Sequence, residues 1–398
     1  MIEELRRALG AYREEMAHFI GELISIPTEN PPGRFYERCL LRIADQLEAL
    51  EFPSQVEPVP DGGLEAENRR FWLRSDWGQG DRAVYFHGHV DVVPAFDPSQ
   101  FVPQVSEETI FGRGSTDMKG GLVSMIYAMK ALASCGIELA GRIALRIVPD
   151  EETGGERGSR AVSRAGRLFD EDAVAMLTAE PTGGVVWNAS RGAITCRVHT
   201  TGRTAHVGHA YRGVNAFEKA VAVADALRVL KNDVASHRTE YSIEPDAARH
   251  SILMMGGEVK GGANFNVVPE RFSFTVDRRV NPEEDHEREK RRLLGVIEAN
   301  GGTVELIQEA RAAAVSSTHP AAEALGRAIE EVRGETAPFE LCPGLLEIRF
   351  YAEKGVPAFA YGPGLLSVAH GPNEFVKRRD IEECALIYAL FAARLLTR

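Results

Sequence analysis

Cysteine, positive charge and long apolar runs are scarce in this chain, and each shortage excludes a class of protein. The 5 cysteines among 398 residues are widely spaced and form no Cys-x-x-Cys pair, which predicts reduced thiols in a cytoplasmic protein. The net charge of −12 argues against nucleic acid, which requires a basic face, and gives no support for binding to an anionic membrane. No segment approaches the ~20 apolar residues of a membrane span, and the first residues do not resemble a signal peptide.

What the chain does have is a regular alternation of strand and helix patterns. In residues 1–186, strands such as Arg142 to Val148 alternate with helices such as Gly121 to Ala133, which predicts a mostly parallel sheet covered on both faces. From 187 to 304 the order becomes β-α-β-β-α-β, a ferredoxin-like unit. We therefore predict an α/β catalytic domain, 1–186 with 305–398, and an inserted α+β lid or dimerisation domain.

The N-terminal segment predicts helices before the first strand. Apolar residues recur at helical spacing from Leu5 to Ile24, which predicts one amphipathic helix that stops before Pro27. A second helix is predicted from Phe35 to Leu50.

Six acidic and histidine residues follow strand patterns or lie in loops rich in glycine or proline. The carboxyl ends of parallel strands meet at one edge of a sheet, so residues remote in sequence can converge there. Two imidazoles and three carboxylates suit borderline divalent ions such as zinc, and one carboxylate remains for proton transfer. The six residues are His89, Asp117, Glu151, Glu152, Glu180 and His370.

His89 ends an apolar strand pattern, and Asp91 follows two residues later on the same face. We assign His89 as a metal ligand and Asp91 as the hydrogen-bond partner of its other ring nitrogen. A histidine that binds metal needs such a partner to fix the orientation of its ring. The alternative is a solvated histidine at a strand end. For His87, on the same face, structural packing is the favoured interpretation.

The glycine-rich segment around Asp117 and the pair Glu151-Glu152 each have two interpretations. Glycines before a helix can cradle phosphate, but the segment matches no phosphate-binding pattern, and a carboxylate there favours bridging two cations. Acidic pairs usually decorate solvated turns. After an apolar strand, however, one carboxylate can bind metal while the other takes a proton from water and passes it to a leaving amine.

Together these segments resemble the co-catalytic di-zinc deacylases and peptidases. That family includes succinyl-diaminopimelate desuccinylase, acetylornithine deacetylase, aminoacylase and the glutamate-releasing carboxypeptidases. The resemblance rests on His-x-Asp, Gly-Arg-Gly-x-x-Asp-Met-Lys-Gly, Asp-Glu-Glu, Glu-Pro and Ala-His-x-Pro-Asn-Glu, together with Ile-Pro-Thr-Glu-Asn-Pro-Pro-Gly and Gly-Arg-Thr-Ala-His-Val-Gly. It extends from about residue 20 to the C-terminus.

The resemblance implies a role for each metal-site residue. It implies one zinc on His89, Asp117 and Glu180, and a second on Asp117, Glu152 and His370. It also implies Glu151 as general base and a cis peptide after Asp117. Cobalt or manganese could replace zinc.

The inserted domain carries the other implied site residues. The resemblance implies that His206 holds the oxyanion, reaching across from the partner subunit in a homodimer. The alternative is a surface histidine beside His209. Asn266 and Arg279 resemble contacts to a substrate carboxylate, although Arg278 could be used instead, or the arginine could form a surface salt bridge. An exposed apolar face on the inserted domain would indicate dimerisation through it.

One segment departs from the family pattern. Many members carry hydroxyl residues near the last helix-capping loop, where this chain has Leu345-Leu346-Glu347 followed by Arg349. The leucines favour a bulkier or more apolar acyl group or side chain over a succinyl or ornithine group, and Arg349 could still face the pocket.

We therefore expect a di-zinc amidohydrolase that removes an acyl group from an N-acyl amino acid or similar small amide bearing a carboxylate. A zinc-bridging hydroxide would attack the carbonyl. One alternative is a dipeptidase or carboxypeptidase of the same family. Another is a relative that binds a ligand without turnover, although the retained ligands and base argue against it.

Overall fold

The computed structural model describes residues 1–60 and 69–397, which form two compact units. The first unit comprises Met1–Asn188, Val315–Phe339 and Phe350–Arg398, and the second comprises Ala189–Ala314 and Glu340–Arg349. The second unit extends beyond the range 187–304 given from sequence, because the strand that begins at Thr303 runs on to Ala310 in its sheet. The role of this unit as a lid or dimerisation domain stays a prediction.

The bounds of the helices follow chain order. They are α1 (Ile2–Ala11), α2 (Arg13–Ile24), α3 (Tyr36–Ala49), α4 (Gly120–Ser134), α5 (Ser159–Arg164), α6 (Ala216–Val234), α7 (His286–Ala299), α8 (Pro320–Arg333), α9 (Ile348–Ala352) and α10 (Arg378–Leu396).

The strands are numbered in the same way. They are β1 (Ser54–Pro58), β2 (Phe71–Gly78), β3 (Ala83–His89), β4 (Gln104–Val105), β5 (Thr109–Phe111), β6 (Arg142–Val148), β7 (Ala173–Thr178), β8 (Val186–Ser190), β9 (Gly192–Thr201), β10 (Ile252–Gly261), β11 (Arg271–Val280), β12 (Thr303–Ala310), β13 (Ala313–Ala314), β14 (Phe339–Cys342), β15 (Ala358–Ala360) and β16 (Phe375–Lys377).

The first unit is built on a sheet with the order β1-β2-β6-β3-β7-β15-β8. Its central strands, from β6 to β15, run parallel, whereas β1, β2 and β8 pair antiparallel at the sides. Every residue of β3 is buried, as expected for a parallel strand with both faces of its sheet covered, and this includes His87 and His89 at its end. The predicted α/β class with a largely parallel central sheet is therefore confirmed.

Helices pack on this sheet through one continuous apolar core, which includes α4 and α10. Helix α4 buries residues on all sides, as expected for a helix enclosed by other elements. The single N-terminal helix predicted from Leu5 to Ile24 is wrong in one detail, because the chain breaks at Tyr12 into α1 and α2. A small sheet, β16-β5-β4, was not predicted.

The second unit is an antiparallel sheet with the order β10-β11-β9-β12 and two helices, α6 and α7. Its chain order is β9-α6-β10-β11-α7-β12, the ferredoxin-like order expected from the sequence. It has its own apolar core, which includes Ile194, Leu227 and Val276. Among the described residues of both units, no helix combines the length and apolar character needed to cross a membrane.

Candidate metal centre

Three neighbouring parallel strands end at the same edge of the first unit and deliver candidate ligands there. Strand β3 ends at His89, β6 is followed by Glu151 and Glu152, and β7 is followed by Glu180. Asp117 lies in the turn that leads into α4, and its peptide bond to Met118 is cis, as the resemblance implied. The topology therefore gathers acids that lie up to 63 residues apart in sequence.

Two groups of these side chains have the spacing of metal ligands, with the ligand atoms of each group within 4.8 Å of one another. The first group is His89, Asp117 and Glu180. In it, Nε2 of His89 lies 3.3 Å from Oδ1 of Asp117 and 3.7 Å from Oε1 of Glu180. The three ligand atoms therefore lie close enough together to share one ion.

The second group is Asp117, Glu152 and His370. Nε2 of His370 lies 3.2 Å from Oδ2 of Asp117 and 3.1 Å from Oε2 of Glu152. Asp117 therefore turns one carboxylate oxygen toward each histidine, which is the arrangement of a ligand shared by two cations.

Several atoms of these groups are buried without a hydrogen-bond partner in the described part of the chain: Nε2 of His89, Oδ1 of Asp117 and Oε1 of Glu152. The first two lie 3.3 Å apart and still do not align as donor and acceptor. Buried polar atoms are nearly always paired, so exceptions need an explanation. A divalent ion in the first group would satisfy Nε2 of His89 and Oδ1 of Asp117, and imidazole with carboxylate is a donor set that such ions accept.

The pKa values of three of these residues are raised, which is the effect expected where carboxylates lie close together without a bound cation. Hydrogen bonds to Asp117 and Glu152 raise the pKa of His370 to about 10. Burial would lower the pKa of His89, but the carboxylates of Asp117 and Asp91 outweigh it and raise this pKa well above its ordinary value. Burial, followed by the charge of Asp117, raises the pKa of Glu152.

Asp91 has a wider role than the sequence indicated. Nδ1 of His89 lies 3.0 Å from the backbone oxygen of Asp91 and 3.5 Å from its carboxylate. That carboxylate accepts the backbone N–H groups of Glu151, at 3.2 Å, and Glu152, at 3.0 Å. Asp91 thus connects the histidine of one strand end to the acidic pair of the next.

The sequence did not identify Asn30 as part of this arrangement. Nδ2 of Asn30 donates to Oδ2 of Asp91 at 2.8 Å and to Thr153 at 3.0 Å. Asn30 lies in the Thr-Glu-Asn-Pro-Pro-Gly segment that carried part of the resemblance, and that segment was the available signal. His87, by contrast, is buried beside Ser159 and Tyr351, as a packing residue would be.

The backbone before Glu180 is crowded by two glycines. A Cβ atom on Gly121 would lie 2.5 Å from Cβ of Ala179, and one on Gly362 would lie 2.1 Å from the Ala179 oxygen. Both approaches are possible only because glycine has no side chain. The position of Glu180 therefore depends on α4 and on the chain after β15.

The site residues predicted in the second unit fall into two places. His206 pairs with Val267, and the backbone oxygen of Asn266 accepts the N–H of Val207, so His206 and Asn266 are neighbours. Arg279 lies near the other end of the sheet, since it pairs with Ala193 whereas Arg271 pairs with Thr201. Eight residues of strand, about 27 Å, separate those two pairs.

Arg278 and Arg279 differ in what they contact. Arg278 is buried and binds Glu284 at 2.5 Å and Glu289 at 3.0 Å, so its guanidinium is already paired inside the unit. Arg279 is partly exposed, and its Nε donates to Asp277 at 2.9 Å. Arg349 is buried and donates to the backbone oxygen of Leu346 at 2.7 Å, so its substrate role stays a prediction.

Comparison with known proteins agrees with the geometry of this edge. Residues 85–394, most of the chain, match the model of Peptidase family M20/M25/M40. The chain belongs to this family. It is therefore a hydrolase of amide or peptide bonds, and its candidate metal groups are those described above. The matched range contains every residue of both groups.

Relatives of this M20 chain include proteins with different stated activities. One from Staphylococcus epidermidis, described as a probable succinyl-diaminopimelate desuccinylase, is 24% identical over 392 residues, covering 92% of this chain and 94% of the relative. The solved structure of the dipeptidase Dug1p from Saccharomyces cerevisiae has a TM-score of 0.77 at 16% identity, with 99% of each chain covered. An M20 family metallo-carboxypeptidase, Sso-CP2 from Sulfolobus solfataricus, also gives 0.77 at 16%, covering 95% of this chain and 98% of that one. At these identities the solved structures support the fold.

Proposed function

We propose that this M20 hydrolase is a two-metal deacylase that removes an acyl group from an N-acyl amino acid or a similar small amide. The observation that supports it best is Asp117, whose two carboxylate oxygens face two different histidines at 3.3 and 3.2 Å. One shared carboxylate with a separate histidine and a separate glutamate on each side suits a pair of ions.

The first ion would be held by His89, Asp117 and Glu180, and the second by Asp117, Glu152 and His370. Zinc suits this mixture of imidazole and carboxylate, and cobalt or manganese would also be accepted. When bound, such ions supply Lewis acidity, which polarises an amide carbonyl and lowers the pKa of water.

Glu151 is the proposed general base. Its backbone N–H is held by Asp91, and its carboxylate lies 4.0 Å from Nε2 of His89, beside the first metal group. From there Oε2 of Glu151 would accept a proton from the attacking water and deliver it to the leaving amine. Glu152, its neighbour, faces His370 instead.

His206 is the proposed oxyanion donor, and its hydrogen bonding favours that role. Nδ1 of His206 accepts the backbone N–H of Gly208 at 3.1 Å. A bond accepted at Nδ1 selects the tautomer with the proton on Nε2, which makes Nε2 an N–H donor. A donor aimed at developing negative charge is the contribution that the mechanism requires.

Arg279 is the proposed contact to the substrate carboxylate. Asp277 holds its Nε, so the two terminal nitrogens can form the two-point contact that carboxylates accept. A small substrate cannot reach both Arg279 and His206 of one chain, because about 27 Å of strand lies between their ends of the sheet. This separation supports a homodimer in which the second copy supplies His206.

The dimer would form through the face between α6 and β10. Phe217, Val221 and Val259 are 48%, 42% and 56% exposed there, and β10 is an edge strand with one side unpaired in its sheet. Exposed apolar side chains beside a free strand edge are a pairing surface. We propose that the occupant is a second copy, and that this dimer is cytoplasmic.

The acyl group is expected to be apolar. The desuccinylase name of the Staphylococcus epidermidis relative supports deacylation, whereas the leucines at 345 and 346 favour an apolar group over succinyl. A dipeptidase or carboxypeptidase is the alternative within the family.

Substitution of Glu151 by Gln tests the function. The variant should keep its metal and lose about 10²–10⁴-fold in kcat on N-acyl amino acids. Exposed Glu156→Gln in the same loop is the matched control and should retain activity. Wild-type turnover in Glu151→Gln would exclude the mechanism.

A panel of acylated amino acids, dipeptides and longer peptides separates deacylase from peptidase. Bound metal without hydrolysis of any of them would indicate a ligand-binding protein.

Substitution of Val221 by Glu tests the dimer. Light scattering should show monomers for this variant and dimers for Val229→Glu, a control on the same helix outside the face. A wild-type monomer would exclude the second copy as the source of His206.

A further inference from the structure

The loops that carry Asp117 and His370 are joined by a buried ion pair that has no role in the mechanism above. Arg113 and Glu374 are both buried, and Nη1 of Arg113 donates to Oε2 of Glu374 at 2.6 Å. The two residues lie 261 positions apart in the chain. Arg113 precedes Asp117 by four residues, and Glu374 follows His370 by four.

Glu374 holds the backbone at Asp117. Its other oxygen, Oε1, accepts the N–H groups of Thr116 at 3.0 Å and Asp117 at 3.1 Å. The hydroxyl of Thr116 donates to the backbone oxygen of Phe375 at 2.5 Å, and the N–H of Gly112 donates to the backbone oxygen of Glu374 at 3.1 Å. These bonds fix the peptide from which the shared carboxylate extends.

Arg113 holds the backbone at His370. Its Nη2 donates to the backbone oxygen of His370 at 3.3 Å, while Nη1 is engaged by Glu374. His370 has a φ of 60°, in the left-handed region that favours glycine, and its side chain is half exposed. A residue in that conformation persists only where its surroundings hold it, and the planar fork of Arg113 supplies one such contact.

We propose that Arg113 and Glu374 are positioning residues that set the second metal group, Asp117, Glu152 and His370, and affect the first group less. Glu374 bonds to the backbone of Asp117, which both groups share, whereas the ligand that Arg113 contacts directly is His370, which belongs to the second group alone. This inference rests on the proposed two-metal function. Neither residue belongs to either candidate metal group.

The direct test is zinc binding by the full chain, measured by calorimetric titration of the metal-free protein and by metal analysis after dialysis. The wild type should bind two Zn²⁺. Arg113→Lys keeps the charge but loses the second arm of the fork, so it should weaken the second ion about 10–100-fold, the usual effect of removing a partner of a metal ligand, and leave the first nearly unchanged.

A buried pair could also act only by stabilising the fold, and a double variant separates the two roles. Removing one partner leaves a buried charge and is strongly destabilising, whereas removing both charges with similar volumes is often tolerated. Arg113→Met with Glu374→Gln should therefore fold, with a far-ultraviolet spectrum like the wild type, and still bind the second Zn²⁺ about 10–100-fold more weakly. Arg278→Met with Glu284→Gln and Glu289→Gln, a buried charge cluster in the second unit, controls for the loss of buried ion pairs and should bind two ions as the wild type does.

Each outcome decides the inference. Two ions bound with wild-type affinity by the Arg113 and Glu374 double variant would overturn it, and so would an equal loss of both ions. A failure of that variant to fold leaves Arg113→Lys as the deciding case under the same criteria. A wild-type chain that binds fewer than two ions would overturn the two-metal centre itself, and the positioning role with it.

Discussion

Both units bury acidic side chains, but they treat the charge in opposite ways. In the second unit, Arg278 lies between Glu284 and Glu289. Burial opposes ionisation of Glu284, but bonds from Ser251 and Arg278 outweigh it and lower the pKa of Glu284. At the metal centre, burial and the charge of Asp117 raise the pKa of Glu152. The pKa of a buried glutamate is therefore lowered in the second unit and raised at the metal centre.

The difference distinguishes a structural cluster from a binding centre. The second unit supplies a guanidinium to its own acids, whereas in the described chain the ion-pair partners of Asp117 and Glu152 are imidazoles. An excess of buried carboxylate is costly unless a cation is bound. Substitutions should therefore affect metal binding in one unit and folding in the other.

The largest effect is expected for Asp117→Asn. The variant removes the charge shared by both metal groups, so metal analysis should find less than one firmly bound ion per chain. The kcat on the best amide substrate should fall about 10³-fold or more, since stabilisation by charge is usually the largest catalytic contribution. Asp81→Asn, on the surface of the same unit, should change neither. If Asp117→Asn still bound two ions, the shared carboxylate would not be needed for metal binding. The contrast between a metal-binding unit and a structural one would then be wrong.

Arg278→Met should have the opposite signature. It removes the buried guanidinium that contacts both Glu284 and Glu289, which should cost about 3–5 kcal/mol in the free energy of unfolding. Urea titration followed by circular dichroism would measure the loss, with exposed Arg228→Met in the same unit as the control. The folded fraction should still bind two ions. Loss of metal in this variant would show that the two clusters are coupled.

Asp91→Asn should lower metal affinity with little effect on folding. Its carboxylate accepts N–H groups from Asn30, Glu151 and Glu152, and an amide cannot accept them all. We expect zinc affinity to fall about 10–100-fold in a chelator competition assay. Unchanged affinity would mean that the backbone oxygen of Asp91 is sufficient to hold His89.

The smallest effect, on the order of 1 kcal/mol, is expected for Glu284→Gln and should depend on pH. The folded-state pKa of Glu284 is lowered, so its stabilisation is present above its unfolded value of 4.5 and is lost as the pH falls through the folded value. Wild type and variant should therefore differ in urea midpoint at neutral pH and converge in acid. A difference that grows in acid would contradict this sign.

The parts of the fold predicted from sequence are those with strong local patterns. Strand β6 has the predicted bounds because buried parallel strands are apolar runs bounded by polar turns. The ligands of the metal centre were predictable because each follows such a strand or lies in a family motif. The break at Tyr12 was missed although Gly10, a poor helix former, lies two residues before it.

The contacts that hold the ligands could not be predicted from sequence. Asn30, Arg113 and Glu374 bond to backbone groups or side chains far away in the chain, and such bonds leave no periodic pattern. The carboxylate of Asp91 was assigned to His89, whereas the structure also places it on the acidic pair. The distance between Arg279 and His206 required the strand register.

The crowding around Ala179 limits how this enzyme can be changed by directed evolution. At positions 121 and 362 even a methyl group would press on the peptide that precedes Glu180. A library randomised at both positions and selected for hydrolysis should return glycine alone, although neither residue has a functional group. Efforts to alter substrate preference should leave these two positions unchanged and vary the proposed substrate-binding segment around Leu345 and Leu346 instead.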